Sequence, residues 1–202
     1  IKKVAVLGSG VMGGAIAAHV ANAGVPVALL DIAAAGDSRN AIADAAIARL
    51  LKTNPAPLMA PEAAKLISTG NLDDDLGLLE DADWICEAII EKLDIKHQLY
   101  SKIEPVRKDG SIVSSNTSTI PLHRLIEGQS TRFASDFVIT HFFNPPRYMR
   151  LLEVVGGEAT REDARTRISE FGDLHLGKDI VRCRDTPGFI ANRIGIYWMT
   201  VA

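Results

Sequence analysis

His141 and Glu153 form a residue pair that could together move a proton. They lie in FVITHFFNPPRYMRLLEVV (137–155), where two apolar runs flank NPPRYM, a segment whose Asn-Pro and Pro-Pro steps favour a turn. If the runs pair as an antiparallel hairpin folded near Arg147, the two residues are equidistant from the turn and face each other. A carboxylate beside an imidazole fixes its tautomer and stabilises the imidazolium, as a general base for alcohol oxidation requires. In isolation, a buried core histidine and a sheet-edge carboxylate are the favoured alternative.

A glycine-rich segment near the start of the chain predicts a phosphate-binding turn. The apolar run Val4–Leu7 is typical of a buried parallel strand, and the Ala-rich residues 11–23 predict a helix. Between them stand Gly8, Gly10 and Gly13, with the spacing G-x-G-x-x-G. The first permits a tight bend, the second lets backbone approach a pyrophosphate, and the third lets helix and strand pack closely. The free N–H groups at the helix start would face the phosphates.

Asp31 indicates which dinucleotide is bound. It ends a second apolar run, 25–30, and Ile32 follows it with no Arg or Lys close by. An acidic side chain at this strand tip can accept both ribose hydroxyls and would repel a 2′-phosphate, so the sequence predicts NAD rather than NADP. After such a unit, the proton-transfer interpretation of His141 and Glu153 becomes the preferred one.

Composition excludes several classes of function. The chain has 202 residues, of which 47% are hydrophobic, enough for one substantial core. Its net charge of −3 gives no broad basic field, so neither nucleic acid nor an anionic membrane is an expected partner. Cys86 and Cys183 stand far apart in apolar or strand-like contexts, which indicates a reduced, cytoplasmic protein without a membrane span. Asp73, Asp74 and Asp75 lack partnering ligands, so we predict a solvated loop or helix cap there and no metal.

An insert follows the second strand. Residues 38–52 and 62–68 predict two helices joined by the Pro-rich turn PAPLMAP, where a simple dinucleotide fold has one crossover. Arg49 and Lys52 lie three apart on one face of the first helix and could meet ligand phosphates. A solvated basic face is the favoured alternative.

Glu91 and Lys96 are expected at the ligand edge of the sheet. Residues 84–90 predict a buried strand that ends in Glu91, and residues 93–106 predict the next helix. Ligands bind at the carboxyl ends of strands in open α/β sheets. The equally weighted alternative is a helix-start carboxylate and an exposed lysine.

A second polar segment follows the next strand, 111–114. SSNTST continues from its end and offers Asn116 and Ser118 as hydrogen-bond donors at the same edge. Ser118 could equally cap a helix over 120–126.

The remaining sequence predicts a helix over 161–175, a strand over 179–183 and a loop, DTPGFIANR, that enters a final helix. Asn192 lies one turn into that helix. Since the chain has no initiator Met and stops within the apolar run 190–202, we expect a fragment of a longer protein.

Together these elements predict an α/β fold. We expect a Rossmann-type, doubly wound and mostly parallel sheet, with an inserted helical pair after the second strand and the start of a helical second domain at the C-terminus. The dinucleotide-binding domain is expected to span residues 1–186, and the beginning of the helical domain residues 187–202.

Five motifs, GSGVMG, AIIEKLDIK, SSNTS, HFFNPP…LLEVV and DTPGFIANR, occur in this order. As a set they resemble the NAD-binding domain of the L-3-hydroxyacyl-CoA dehydrogenases of fatty-acid β-oxidation. The opening segment and the long insert resemble the bacterial multifunctional proteins that also carry an enoyl-CoA hydratase region. The resemblance implies NAD-dependent oxidation of a (3S)-3-hydroxyacyl-CoA to the 3-oxoacyl-CoA, and a homodimer formed through a helical second domain.

The resemblance also implies roles for individual residues. His141 matches the catalytic base, and Glu153 matches the carboxylate that orients it. Ser118 matches a serine near the substrate oxygen and the nicotinamide, and Asn192 matches a residue that contacts the substrate carbonyl. The cofactor-binding positions fall on Gly8, Gly10, Val11, Met12, Gly13, Asp31, Ile89, Ile90, Glu91, Lys96, Ser118 and Asn144, and the substrate-binding positions on Ser118, Asn192 and Lys52.

Two departures from the family pattern leave the substrate preference open. The segment between Ser118 and His141 is slightly longer than in the single-function mitochondrial type, and Arg147 stands where apolar residues are commoner. Two rival hypotheses remain, an NAD dehydrogenase of a non-CoA hydroxy acid such as a sugar acid, and a catalytically silent NAD-binding module. The intact His141 and Glu153 pair argues against the silent module.

Overall fold

One eight-stranded sheet runs through the molecule. The computed structural model describes residues 1–201, with strands β1 Val4–Leu7, β2 Val27–Asp31, β3 Ile67–Asn71, β4 Trp84–Glu87, β5 Ile112–Ser115, β6 Phe137–Phe142, β7 Leu151–Gly156 and β8 Asp179–Cys183. They lie in the order β3-β2-β1-β4-β5-β6-β7-β8. β7 is antiparallel to β6, and the other neighbouring pairs are parallel. The predicted α/β class and mostly parallel sheet are confirmed.

Helices cover both faces of this sheet. They are α1 Val11–Asn22, α2 Ala41–Leu50, α3 Leu93–Ile103, α4 Leu122–Leu125, α5 Thr131–Asp136, α6 Glu162–Leu174 and α7 Ala191–Val201, with short 3-10 helices at Pro61–Leu66 and Leu76–Leu79. Within residues 1–201, no helix combines the length and the apolar character that crossing a bilayer would need. α7 lies where the sequence predicts the start of a second domain, and that assignment stays a prediction.

The second helix of the insert is a 3-10 helix and ends two residues earlier than predicted. Residues 62–68 do not form an α-helix, because a 3-10 helix ends at Leu66 and β3 begins at Ile67. β3 extends the parallel sheet along β2, from the pair Val27 and Ile67 to the pair Asp31 and Asn71. The local composition favours a helix, but the free edge of β2 supplies backbone hydrogen-bond partners that only a strand can use.

The strand predicted over 84–90 ends earlier, at Glu87. Its ladder with β1 closes where the Ala88 N–H donates to the Leu7 carbonyl at 2.8 Å. Beyond that point the Glu87 carboxylate accepts the Ile89 N–H, which turns the chain away from the sheet. Residues 88–92 therefore form a loop at the carboxyl end of β4 rather than more strand.

Alternate residues of β1 enter two separate apolar layers. Val4 and Val6 pack with side chains of α1 and α6, whereas Ala5 and Leu7 pack with side chains of α3 and α5. Both faces of the central strand are therefore buried, as a doubly wound sheet requires. Burial of a side chain of this size contributes about 1.5–3 kcal/mol, so the centre of the sheet is a rigid platform for its loops.

The turn from β1 into α1 requires glycine at two positions. Gly8 has φ +97°, and a Cβ there would lie 2.7 Å from the Ala88 carbonyl oxygen. A Cβ on Gly13 would lie 1.8 Å from the Gly8 carbonyl oxygen, inside the closest contact that atoms allow. Helix and strand approach as closely as they do because these side chains are absent.

We predict that Gly13→Ala lowers the free energy of unfolding by about 3 kcal/mol or more, because backbone must move to admit the methyl group. Gly14→Ala is the matched control, since its Cβ would meet nothing nearer than the Ser9 oxygen at 3.6 Å. It should change the free energy by less than about 1 kcal/mol. Urea denaturation of both variants measures the difference, and equal stabilities would contradict the close packing of α1 on β1.

Candidate active site

β6 and β7 bring His141 and Glu153 together as the sequence predicts. Their antiparallel register pairs the two residues directly. His141 Nδ1 lies 2.8 Å from Glu153 Oε2, with the imidazole 6% and the carboxylate 0% exposed. Because the carboxylate only accepts, the neutral imidazole in this contact carries its proton on Nδ1 and its lone pair on Nε2. The geometry is that of a base whose tautomer is set by its neighbour.

The second oxygen of Glu153 holds the start of α7. Its Oε1 accepts the Ile190 N–H at 3.0 Å and the Ala191 N–H at 2.9 Å. These are free donors at a helix N-terminus, where a negative charge is favoured. Asn192 follows directly, half-buried in the first turn. One carboxylate thus orients the imidazole and docks the helix that carries Asn192.

Two phenylalanine rings enclose the imidazole of His141. The ring centroids of Phe143 and Phe189 lie 4.5 Å and 5.6 Å from that of His141. Phe189 is buried and has φ +47°, a conformation that costs energy for a non-glycine residue. The sequence did not indicate this residue, because backbone strain and long-range packing leave no local pattern.

Two adjoining cavities lie at the carboxyl ends of the parallel strands. The first, of about 550 Å³, extends from the glycine-rich turn to Asp31. The second, of about 410 Å³, extends from the same turn to Ser118. Gly10, Ile89 and Ile90 line both, which makes one continuous groove. The other predicted cofactor positions on the groove are Gly8 and Asp31 in the first cavity and Val11, Met12, Glu91, Lys96 and Ser118 in the second.

The glycine-rich turn is tied to Asp31 and Arg49. Asp31 Oδ2 accepts hydrogen bonds from both the backbone N–H and the hydroxyl of Ser9. Arg49 Nη2 donates to the Ser9 carbonyl at 2.7 Å. Arg49 and Lys52 are both exposed, in agreement with the favoured interpretation of a solvated basic face, and Arg49 in addition ties this face to the glycine-rich turn.

Glu87, which the sequence did not single out, lies beneath the second cavity. The last residue of β4, it is 0% exposed. Its oxygens accept from Lys96 Nζ at 2.6 Å, Ile89 N at 2.8 Å, Tyr100 OH at 2.8 Å and Ser115 Oγ at 2.7 Å. Burial and the Glu87 charge raise the pKa of Tyr100 well above its ordinary value, so the phenol stays a donor. The sequence signal that could have indicated Glu87 is an acidic residue at the end of the apolar run WICE.

Glu91 connects this cluster to the loop after β5. Its Oε1 accepts the Ser118 N–H at 3.2 Å and the hydroxyls of Thr117 and Thr119. Burial acts to raise the pKa of the Glu91 carboxyl, but the Thr117 hydrogen bond and the Lys96 charge outweigh it, so the pKa lies below its ordinary value. Glu91 is therefore ionised near neutral pH and holds the Ser118 loop in place.

Within residues 1–201, the predicted cofactor and substrate positions that do not line the groove are Gly13, Asn192, Asn144 and Lys52. Asn144, in the β6–β7 turn, and Lys52 are exposed. Arg147 Nη1 donates to the carbonyls of Ala56 and Leu58, which ties the turn to the insert. This departure from the family pattern therefore acts at a distance from the His141 and Glu153 pair.

Asn116 lines the second cavity and uses its side-chain oxygen as a structural acceptor, which leaves the predicted donor role of its amide nitrogen untested. Its side-chain oxygen accepts the Phe142 N–H at 2.9 Å and joins the loop after β5 to the end of β6. The acidic cluster after β3 is likewise engaged, because Asp74 pairs with Arg39 and Asp75 accepts the Asn71 N–H. In residues 1–201, no three His, Cys, Asp or Glu side chains converge as metal ligands.

The chain matches a known protein family over most of its length. Residues 3–186 match the model of "3-hydroxyacyl-CoA dehydrogenase, NAD binding domain". A "Probable 3-hydroxyacyl-CoA dehydrogenase" of Deinococcus radiodurans is 54% identical over 98% of this chain and 57% of its own length. A "Putative fatty acid oxidation complex trifunctional enzyme" of Rickettsia felis is 52% identical over 98% of this chain and 28% of its own length. The chain therefore spans little more than half of the first relative and about a quarter of the second.

Solved structures agree in fold. The 3-hydroxybutyryl-CoA dehydrogenase of Escherichia coli K12 superposes with a TM-score of 0.81 and 33% identity, over 96% of this chain and 40% of the other. The sequence match, the shared fold and the groove with its glycine-rich turn lead to the same conclusion. The chain belongs to the 3-hydroxyacyl-CoA dehydrogenase family, of which it carries the NAD-binding domain.

Proposed function

We propose that the protein oxidises a (3S)-3-hydroxyacyl-CoA to the 3-oxoacyl-CoA, with His141 as general base and NAD as the acceptor of the hydride. The observation that carries the proposal is the buried pair of His141 and Glu153, which is connected to the groove because Phe142 donates its N–H to Asn116 in the lining of the second cavity. The names of the relatives support the acyl-CoA substrate and a place in fatty-acid oxidation.

The groove is open where it crosses the glycine-rich turn at Gly10. Within residues 1–201, and apart from Gly10 and its two chain neighbours, no heavy atom lies within 4 Å of a Cβ built on Gly10. That open space, above the N-terminus of α1, is where the backbone can approach a pyrophosphate. Asp31 at one end would accept ribose hydroxyls, while Lys96 and Ser118 line the other end.

His141 and Glu153 would carry the proton chemistry. His141 Nε2 accepts the proton of the substrate hydroxyl, because Nδ1 is already bound to Glu153 Oε2. Glu153 then stabilises the imidazolium that forms, and the rings of Phe143 and Phe189 keep water from the pair. When bound, NAD supplies the hydride acceptor.

Ser118 and Asn192 would orient the reacting oxygen. Both can donate hydrogen bonds to a developing carbonyl, and each is held by a carboxylate network, Ser118 through Glu91 and Asn192 through Glu153. A helical second domain that begins at α7 would cover the acyl-CoA and form a homodimer, and an enoyl-CoA hydratase region in the same protein would fit the trifunctional relative.

Gly10→Ala is expected to weaken NADH binding about tenfold or more while the fold stays intact. The added methyl group meets open space in the protein but occupies the approach to the pyrophosphate. Fluorescence titration with NADH measures the affinity, and Gly14→Ala is the control. Parent-like NADH affinity in the Gly10 variant would place the pyrophosphate elsewhere.

The proposed activity is tested by NADH consumption on addition of acetoacetyl-CoA to the full-length protein. His141→Ala should lower the rate by roughly two to four orders of magnitude, the usual contribution of a general base. His175→Ala, at an exposed position directly after α6, is the control and should retain activity. Both variants must first be shown to bind NADH.

Two outcomes would contradict the proposal. Full activity of His141→Ala would remove the base assignment. NADH binding without consumption of acetoacetyl-CoA by the parent would favour a non-CoA hydroxy acid or a silent module.

A further inference from the structure

Glu87 has no acceptor capacity left for a ligand. Its two oxygens already accept four hydrogen bonds, and the residue is fully buried. Burying a carboxylate costs several kcal/mol unless its partners compensate, and hydrophobic residues of similar size would avoid that cost. Its charge, rather than a contact with a ligand, is therefore the property to explain.

The compensating cation is shared with a second carboxylate. Lys96 Nζ lies 2.6 Å from Glu87 Oε1 and 3.2 Å from Glu91 Oε2, and the lysine is 1% exposed. We call these three residues the Glu87–Lys96–Glu91 cluster. One ammonium faces two carboxylates, so the cluster carries one net negative charge. Lys96 thus presents to the second cavity a hydrogen-bond donor rather than an uncompensated positive charge.

The cluster lies at the end of the groove where the hydride would be transferred. Asp31 takes the adenosine ribose in the first cavity, so a dinucleotide that crosses the turn at Gly10 extends its other end into the second cavity. Glu91 and Lys96 line that cavity beside Ser118, and they are its charged lining residues within residues 1–201. This placement rests on the proposed function.

We propose that Glu87 is a positioning residue that sets the relative affinities of the site for the two forms of the cofactor. The net negative charge of the Glu87–Lys96–Glu91 cluster strengthens the binding of NAD⁺ relative to that of NADH. The oxidised nicotinamide ring carries a positive charge and the reduced ring carries none. A fixed negative charge close to the ring therefore stabilises only the oxidised form. Removing it should change the two affinities unequally.

Glu87→Gln tests this in the full-length protein. Glutamine has the same size, and the hydroxyls of Tyr100 and Ser115 can accept from its amide as well as donate, so the fold should survive. The dissociation constants of NAD⁺ and NADH are measured separately by calorimetry. The ratio of the NAD⁺ constant to the NADH constant should rise about tenfold.

Tyr100→Phe is the matched control, because it removes one hydrogen bond to Glu87 and keeps the charge. Its ratio should stay within about twofold of the parent. If Glu87 had a purely structural role, each substitution would weaken the binding of NAD⁺ and of NADH by the same factor. An unchanged ratio of the two dissociation constants in Glu87→Gln therefore overturns the proposal.

Glu91→Gln gives a second measurement should Glu87→Gln fail to fold. Its partly exposed side chain tolerates exchange, and it removes the same unit of charge from the cluster. The ratio should rise in the same direction, and an unchanged ratio again overturns the proposal. Binding needs no turnover, so inactivity towards acetoacetyl-CoA would count against the proposed function alone. Failure of the parent to bind either nucleotide would overturn this inference directly.

Discussion

The carboxylate of Glu153 lies at the centre of β7, out of contact with solvent, and accepts hydrogen bonds on both oxygens. One oxygen takes the His141 Nδ1–H and the other takes the amides of Ile190 and Ala191. A buried charge is tolerable only when such partners replace its hydration. His141 and the start of α7 are therefore fixed relative to each other, so the proposed general base is placed relative to the helix that carries Asn192.

The sheet brings the remaining parts of the site to the same edge. β1, β2, β4, β5 and β6 run parallel, so their carboxyl ends and the loops that follow them meet there. His141 stands near the end of β6 and Ser118 in the loop after β5. Glu87, at the end of β4, is the second buried carboxylate of the site, and its hydrogen bonds fix the loop that lines both cavities. Two fully buried carboxylates thus set the position of His141 and that of the groove.

The parts of the site that depend on local geometry could be predicted from the sequence. A hairpin places residues equidistant from its turn opposite each other, which paired His141 with Glu153, and the glycine spacing defined the turn below the groove. The parts that depend on distant partners could not be predicted. β3 forms because β2 offers it an edge, Lys96 is buried because Glu87 lies behind it, and Phe189 adopts its backbone conformation in the packed site. The local sequence around these residues does not indicate such long-range contacts.

Amide hydrogen exchange at Ile190 and Ala191 tests most directly whether Glu153 joins the base to the helix. The measurement compares the full-length parent with Glu153→Ala. Loss of the only side-chain acceptor that the structure shows for these two amides within residues 1–201 should speed their exchange about tenfold or more, with little change at amides in the core of β1. Parent-like exchange in the variant would contradict the account, because α7 would then be docked independently of the carboxylate that orients His141.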